Sequence, residues 1–109
     1  MDRGYIDFTR LYRIHDANTF FVTRSRKDIR WQRLYSQGVD KQAGIRCDQT
    51  IRLTMVDAKK HYPEKLRRIK YFDQETKHTY IFFTNDFTSS AMTIALLYKH
   101  RWQVELFFK

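Results

Sequence analysis

Two charged residues near one end of the chain fall where a helix should present apolar side chains. From Ala91 onward the apolar residues recur at helical spacing, and Ile94 and Tyr98 lie on the side expected to face a core. At about 100° per residue, Arg101 and Glu105 fall within the same arc. Charges there cost free energy unless they are paired, hydrogen-bonded or bound to a metal ion. The pattern predicts either an ordinary ion pair four residues apart or a functional pair of side chains.

A further acid that could do chemistry stands near the other end of the chain. Asp2 comes shortly before Gly4, at the start of a predicted helix that runs to about His15. An acid at this position is an ordinary helix N-cap. It can also be a metal-binding carboxylate at the carboxyl end of a strand, where α/β sheets hold their ligands, although the cap is the simpler interpretation of this motif alone. Position alone leaves both interpretations open.

Composition narrows the class of protein. The 109 residues suffice for about one small domain, and 17% aromatic residues with only 3 Gly and 1 Pro argue against disorder. No apolar run is long enough for a transmembrane helix, and no signal-peptide core follows Met1. The single cysteine, Cys47, excludes an internal disulfide, and the 4 histidines lack metal-ligand spacing. We therefore expect a soluble, intracellular chain.

The net charge of +9 is spread along the chain, but two local concentrations mix cations with aromatic side chains, at residues 24–35 and 59–72. Such stretches suit a nucleic acid, because Lys and Arg pair with phosphates and aromatic rings can stack on bases. The alternative is a solvated basic face that only keeps the protein soluble. A membrane surface is disfavoured, since neither stretch forms a clear amphipathic helix. The candidate DNA contacts are Arg24, Arg26, Lys27, Arg30, Arg67, Arg68 and Lys70.

The elements that must position these residues follow from hydrophobic periodicity and turn residues. After the first helix, residues 19–23 predict a buried strand, whereas 26–44 are polar and irregular, with turns at the glycines. Strands are predicted at 45–54, 66–73 and 78–84, the last two forming a hairpin around residues 74–77, and 59–64 is a connector. Thr88, Ser89 or Ser90 can cap a final helix that continues to Lys109.

Both ends of the chain resemble the catalytic segments of one enzyme family. Residues 2–8 read Asp-Arg-Gly-Tyr-Ile-Asp-Phe and resemble the segment around the second catalytic aspartate of DDE transposases of the insertion-sequence-four type. The spacing of Tyr98, Arg101 and Glu105 resembles the start of that family's Tyr-Arg-Glu-Lys signature. The signature implies a final lysine seven residues beyond Glu105, and the family's first catalytic aspartate is expected upstream of Met1.

The resemblance implies a fragment of a ribonuclease-H-like core, of mixed α+β or α/β class. Residues 1–25 would be a late part of that core, 26–87 a β-rich insertion, and 88–109 the start of a catalytic helix. Asp2 and Glu105 would be two of three carboxylates that hold two Mg²⁺ (or Mn²⁺) ions, and these ions would activate water and then a DNA 3′-hydroxyl. Tyr98 and Arg101 would hold a phosphate near the transposon end.

By this resemblance, the chain is a transposase fragment that cleaves and joins DNA ends and is inactive in isolation. Its expected partners are double-stranded DNA, as transposon ends and target, and a second copy in the full-length protein, with no membrane. The expected location is the bacterial cytoplasm, on the nucleoid when DNA is bound. Some family members flip a base at the transposon end into an aromatic pocket. Trp31, Tyr71 and Tyr80 are candidates for such a pocket, although ordinary packing explains each more simply.

Two alternatives from other classes remain open. One is a non-catalytic nucleic-acid-binding module in which the acids only cap helices and pair with arginines. The other is a degenerate remnant of an insertion element that folds but has no function.

Overall fold

Six strands of the described part of the chain pair into one antiparallel sheet in the order β2-β3-β4-β5-β1-β6. The computed structural model describes residues 8–25, 29–101 and 105–108, and the side chains of 8–25 and 29–99. The elements in chain order are α1 (Phe8–Asp16), β1 (Phe20–Arg24), β2 (Trp31–Ser36), a short 3-10 helix (Lys41–Ala43), β3 (Ile45–Leu53), α2 (Val56–His61), β4 (Leu66–Asp73), β5 (His78–Thr84), α3 (Ala91–Arg101) and β6 (Glu105–Phe108). The fold is therefore of the mixed α/β class that the sequence predicts.

The sheet has a core on each face. On one face, α1 and α2 pack over a cluster that includes Leu11, Tyr62 and Phe83. On the other face, α3 places Ile94 and Tyr98 against the sheet. Because successive side chains of a strand point to opposite faces, each central strand contributes to both cores. We call these two surfaces of the sheet the α1 face and the α3 face.

One buried amide fixes the junction between α1 and the sheet. The side chain of Asn85 accepts a hydrogen bond from the backbone N–H of Phe21 (2.9 Å) and donates to the carbonyl of Thr19 (3.0 Å). The chain leaves α1 through Asn18, whose φ of 61° lies in the left-handed region that Asn tolerates. Asn85 thus links the end of β5 to the start of β1.

The hairpin of β4 and β5 is confirmed with the predicted bounds. Its strands pair from Arg67 opposite Thr84 to Asp73 opposite His78. The turn is closed by the N–H of Lys77, which donates to the carbonyl of Asp73 (2.7 Å). The alternating pattern and the polar turn predicted this unit because both are local properties of the sequence.

Two elements between residues 26 and 64 differ from the prediction. Part of the segment expected to be irregular forms β2, an edge strand whose residues are mostly exposed. Its polar sequence gives no burial signal, so its pairing with β3 decides its structure. The connector expected at 59–64 begins earlier than predicted, as helix α2, which buries Ala58.

The prediction that the final helix continues to residue 109 is wrong. Helix α3 ends at Arg101, and Glu105–Phe108 forms β6. The physical reason is that β6 pairs with the free edge of β1, from Phe20 opposite Phe108 to Thr23 opposite Glu105. The Leu-Phe-Phe run favours a strand, and this pairing satisfies backbone groups that an open edge would leave unpaired.

Strand β1 and the strands of residues 26–87 belong to the same sheet, since β1 pairs with β5. The division into a late core segment and an insertion stays a prediction, because a shared sheet fits either arrangement. Among the described helices, none has the length and apolar character needed to span a membrane.

Candidate phosphate site and basic strand residues

Helix α3 presents Tyr98 to the sheet beside an arginine from β1. The hydroxyl of Ser90 caps the helix by accepting a hydrogen bond from the N–H of Thr93 (3.1 Å), as one of the three predicted caps. Eight residues further on, Tyr98 is 8% exposed, with its ring centroid 4.8 Å from that of Phe82. Phe82 is the register partner of Arg24, which brings the end of β1 to Tyr98.

Arg24 and two tyrosines form one cluster on the α3 face. The guanidinium carbon of Arg24 lies 5.3 Å from the ring centroid of Tyr80, and the rings of Tyr80 and Tyr98 are 6.4 Å apart. A guanidinium over an aromatic face is held in place while its outward N–H groups stay available. Two of the predicted DNA contacts, Arg24 and Tyr98, are thus brought together.

Burial raises the pKa of the Tyr98 phenol, and the positive charge of Arg24 only partly opposes this shift. The phenol therefore stays protonated at neutral pH. A protonated phenol beside a guanidinium offers two kinds of donor and no negative charge. Such a pair can bind an anionic oxygen.

Lys99 ties this part of α3 to the β4–β5 hairpin. Its ammonium contacts Oδ1 of Asp73 (3.3 Å) and Oε1 of Glu75 (2.5 Å). Burial alone would raise the pKa of Asp73, but hydrogen bonds from the Glu75 backbone and from Lys99 hold it below its usual value. The next residue after Tyr98 is therefore anchored, and this contact helps to fix the angle of the helix end.

Arg67 is not a surface contact, which corrects the expectation that it binds DNA. It is 3% exposed, and its Nε and Nη2 donate to the two carboxylate oxygens of Asp48 (2.8 and 2.7 Å). Its Nη1 donates to the carbonyls of Asp86 (2.9 Å) and Ser89 (2.6 Å). The reason is strand alternation, which turns Arg67 inward toward the α3 face and its neighbour Arg68 the other way.

Arg68 and Lys70 lie on the α1 face, on the opposite side of the sheet from Tyr98. The guanidinium carbon of Arg68 is 4.4 Å from the ring centroid of Trp31, and Nη1 donates to Oε1 of Gln49 (3.0 Å). Lys70 is half-buried and makes no ion pair or hydrogen bond with a described side chain. Arg30 is exposed near the start of β2. The predicted DNA contacts therefore divide between two faces instead of forming one patch.

For the other predicted site residues, the structure describes either no atoms or only the backbone. Asp2, Arg26 and Lys27 fall outside the described residues, and for Arg101 and Glu105 only the backbone is described. Arg101 is the last residue of α3, one turn after Tyr98, but Glu105 lies in β6 opposite Thr23. The helix face that the sequence predicts for Glu105 is therefore wrong. Among the described residues, no three His, Cys, Asp or Glu side chains come together as metal ligands.

The candidate stacking residues are packed within the protein. Tyr71 is 6% exposed, and Tyr80 stacks on Phe82 with ring centroids 6.0 Å apart. Trp31 carries the Arg68 guanidinium on its ring. The thiol of Cys47, expected to be an apolar filler, accepts a hydrogen bond from Arg68 (3.3 Å).

Two basic residues of the α1 face were not among the candidate DNA contacts predicted from the sequence. Arg46 places its guanidinium carbon 5.0 Å from the ring centroid of Phe72, and Arg33 is exposed on β2. Part of the signal for Arg46 was in the sequence, because strand alternation places Phe72, the aromatic partner of Arg46, on the same face as Arg68 and Lys70. Arg33 lies in the basic stretch of residues 24–35, but the sheet face that it occupies was not predictable, since β2 itself lacks a strand pattern.

Comparison with known proteins places the chain in a family. The family model described as "Transposase DDE domain" matches residues 1–109. A putative transposase, y4zB, of Sinorhizobium fredii is 32% identical over 99% of this chain and 31% of its own length. A probable transposase for insertion sequence element IS5377 of Geobacillus stearothermophilus is 30% identical over 99% of this chain and 28% of its length. No solved structure matches.

The chain thus spans about a third of the length of the curated relatives it matches. The family model covers every residue, including the two terminal motifs and the strands between them. The chain belongs to the transposase DDE domain family.

Proposed function

We propose that this chain is part of a DNA transposase of the insertion-sequence-four type, which cleaves and joins DNA ends by metal-assisted phosphodiester transfer. The family match and the two transposase relatives support the class. The spacing of Tyr98, Arg101 and Glu105 supports the finer type. The proposal includes a ribonuclease-H-like core in the longer protein, a dimer on paired DNA ends, and a bacterial cytoplasmic location.

The observation that carries the proposal is the pairing of Arg24 with Tyr98. They come from elements far apart in sequence, yet β1 and α3 bring a guanidinium and a protonated phenol to one position. Both are donors, and a guanidinium forms bidentate hydrogen bonds with phosphate oxygens. We infer that these side chains hold a phosphate near the cleaved DNA end, with Arg101 one helical turn further along.

Asp2 and Glu105 are the proposed metal ligands of this chain. Carboxylates suit Mg²⁺, a hard cation that prefers oxygen ligands, and the ion would supply activation of the attacking oxygen. The described side chains do not assemble a metal-binding donor set by themselves. The proposal also holds that the isolated chain is inactive, because the family's set needs a third acid and a lysine.

Binding of the chain to end-labelled duplex DNA tests the phosphate site. We expect Arg24→Gln to weaken binding by about five- to tenfold and to lower the salt slope by about one, as the loss of one phosphate contact does. The matched control is Arg13→Gln, an exposed arginine of α1 without a partner among the described residues. Equal affinities of the two variants would contradict the assignment.

A non-catalytic nucleic-acid-binding module is the second candidate function. It is favoured by one observation, the gathering on the α1 face, away from Tyr98, of cations that form no ion pair with a described acidic side chain. This candidate predicts that Asp2→Ala and Glu105→Ala leave DNA affinity unchanged at every Mg²⁺ concentration. The transposase proposal predicts instead that Mg²⁺ strengthens binding only while both acids are present.

A further inference from the structure

The strands β2 to β5 separate their charges between the two faces of the sheet. Their acidic residues, Asp48 and Asp73, are both buried toward the α3 face, where Arg67 and Lys99 neutralise them. The α1 face of these strands carries cations and no acidic side chain, as their described sequences show. Alternation along each strand produces this separation.

The cations of the α1 face lie beside one another across three strands. We call them the basic face: Arg33 on β2, Arg46 on β3, and Arg68 and Lys70 on β4, together with the aromatic rings of Trp31 and Phe72. The register places Gln49 beside Arg68 and Cys47 beside Lys70. Helices α1 and α2 pack over the neighbouring cluster, which includes Ile51, Leu66 and Phe83. Beside that cluster, Arg33 and Arg46 are exposed, and Arg68 and Lys70 are half-buried.

The aromatic rings of this face are occupied by arginines. Arg68 lies over Trp31 at 4.4 Å and Arg46 over Phe72 at 5.0 Å. A ring that carries a guanidinium on its accessible side holds a cation in place but offers that side to no base. The basic face is therefore better suited to phosphates than to stacked, single-stranded bases.

The spread of the charges favours a duplex. Arg33 and Lys70 stand two strands apart, about 10 Å across the sheet, and further charges follow along β4. A single strand follows one track, whereas a duplex presents two backbones on either side of a groove about 6–12 Å wide. A two-dimensional array of cations matches the two backbones of a duplex better than the single backbone of one strand.

We propose that the basic face binds the backbone of double-stranded DNA, at a place separate from the phosphate site of Tyr98. The two sites lie on opposite faces of one sheet, so one continuous straight duplex cannot lie on both. The inference rests on the proposed function in that DNA is the partner. It adds a second duplex segment, held away from the end that is cut.

Charge reversal on the two faces tests this proposal with the chain alone. Lys70→Glu and Arg33→Glu each change the net charge by two, and so does the control Arg52→Glu. Arg52 is exposed on β3 between Ile51 and Leu53, and therefore points to the α3 face. Binding to a 25-base-pair duplex of arbitrary sequence is measured by fluorescence anisotropy from 50 to 200 mM salt, after circular dichroism confirms folding.

We expect Lys70→Glu and Arg33→Glu to weaken duplex binding by about tenfold and to lower the salt slope by about one each, with a clearly smaller effect of Arg52→Glu. Three equal losses would overturn the proposal, since only net charge would then matter. Tighter binding to a single strand than to the duplex, lost in Trp31→Ala, would also overturn it. If Lys70→Glu fails to fold, the exposed Arg33→Glu decides.

The result is separable from that of the phosphate site. If the basic face does not bind DNA, the wild-type chain still binds DNA, and Arg24→Gln still reduces that affinity. If the proposed function is wrong, Arg24→Gln leaves DNA affinity unchanged, whatever the effects of Lys70→Glu and Arg33→Glu.

Discussion

Arg67 holds the carboxylate of Asp48 through two hydrogen bonds of 2.8 and 2.7 Å, and both side chains are almost inaccessible to water. The remaining guanidinium nitrogen binds the carbonyls of Asp86 and Ser89, so the pair also fixes the segment that leads into α3. One arginine of the basic stretch at residues 59–72 therefore positions the helix that carries Tyr98 and does not contribute to the basic surface.

We predict that Arg67→Ala destabilises the fold by about 3–5 kcal/mol, because it leaves a buried carboxylate without a partner. Arg67→Lys should also be costly, since an ammonium cannot reproduce the two-pronged geometry. Urea unfolding measures both, with Arg68→Ala as the matched neighbour. If the cost of Arg67→Ala does not exceed that of Arg68→Ala, the buried pair does not organise this region.

The amide of Asn85 gives a second stability prediction. Asn85→Ala leaves the buried N–H of Phe21 and the carbonyl of Thr19 without this partner. An unsatisfied buried group costs about 1–3 kcal/mol, so a loss in this range is expected in urea unfolding. Gln74→Ala, at the exposed hairpin turn, serves as the control and should change the free energy of unfolding by less than about 0.5 kcal/mol. Similar values for the two variants would rule out the structural role of Asn85.

Asp86 predicts how stability depends on acid. Burial would raise its pKa, but hydrogen bonds from Ser89 and Thr88 outweigh burial and hold the pKa below its usual value. Since the folded pKa is lower than the unfolded value of about 3.9, its contribution is complete above that pH and is lost as pH falls through the folded pKa. Urea unfolding between pH 2 and 7 should therefore show a shallower acid loss in Asp86→Asn than in the wild type. An identical pH profile would contradict this.

Local signals predicted β4, β5 and their turn, because alternation and a polar tetrapeptide act over short distances. The same signals missed β2, whose residues are polar and exposed and whose structure depends on pairing with β3. At the end of the chain, pairing of Phe107 with Phe21 outweighed a helical pattern that was correct only as far as Arg101. Sequence periodicity carries no information about such pairing between residues far apart in the chain.

The candidate site was predictable in part for a related reason. Charge clustering selected Arg67 and Arg68 together, yet one turns into the protein and the other onto the basic face. Applying strand alternation to the stretch would have separated them. The proximity of Arg24 to Tyr98 could not be predicted from the sequence, because it depends on how β1, β5 and α3 pack.

Cleavage of DNA by the longer protein tests the central claim most directly. The gene product that includes the coding sequence on both sides of this chain is incubated with Mg²⁺ and a supercoiled plasmid carrying that gene and its flanking DNA. We predict nicking that Asp2→Asn and Glu105→Gln abolish, that Asp16→Asn at the exposed end of α1 preserves, and that the isolated chain lacks. Nicking that survives Asp2→Asn and Glu105→Gln, or an active isolated chain, would contradict the account.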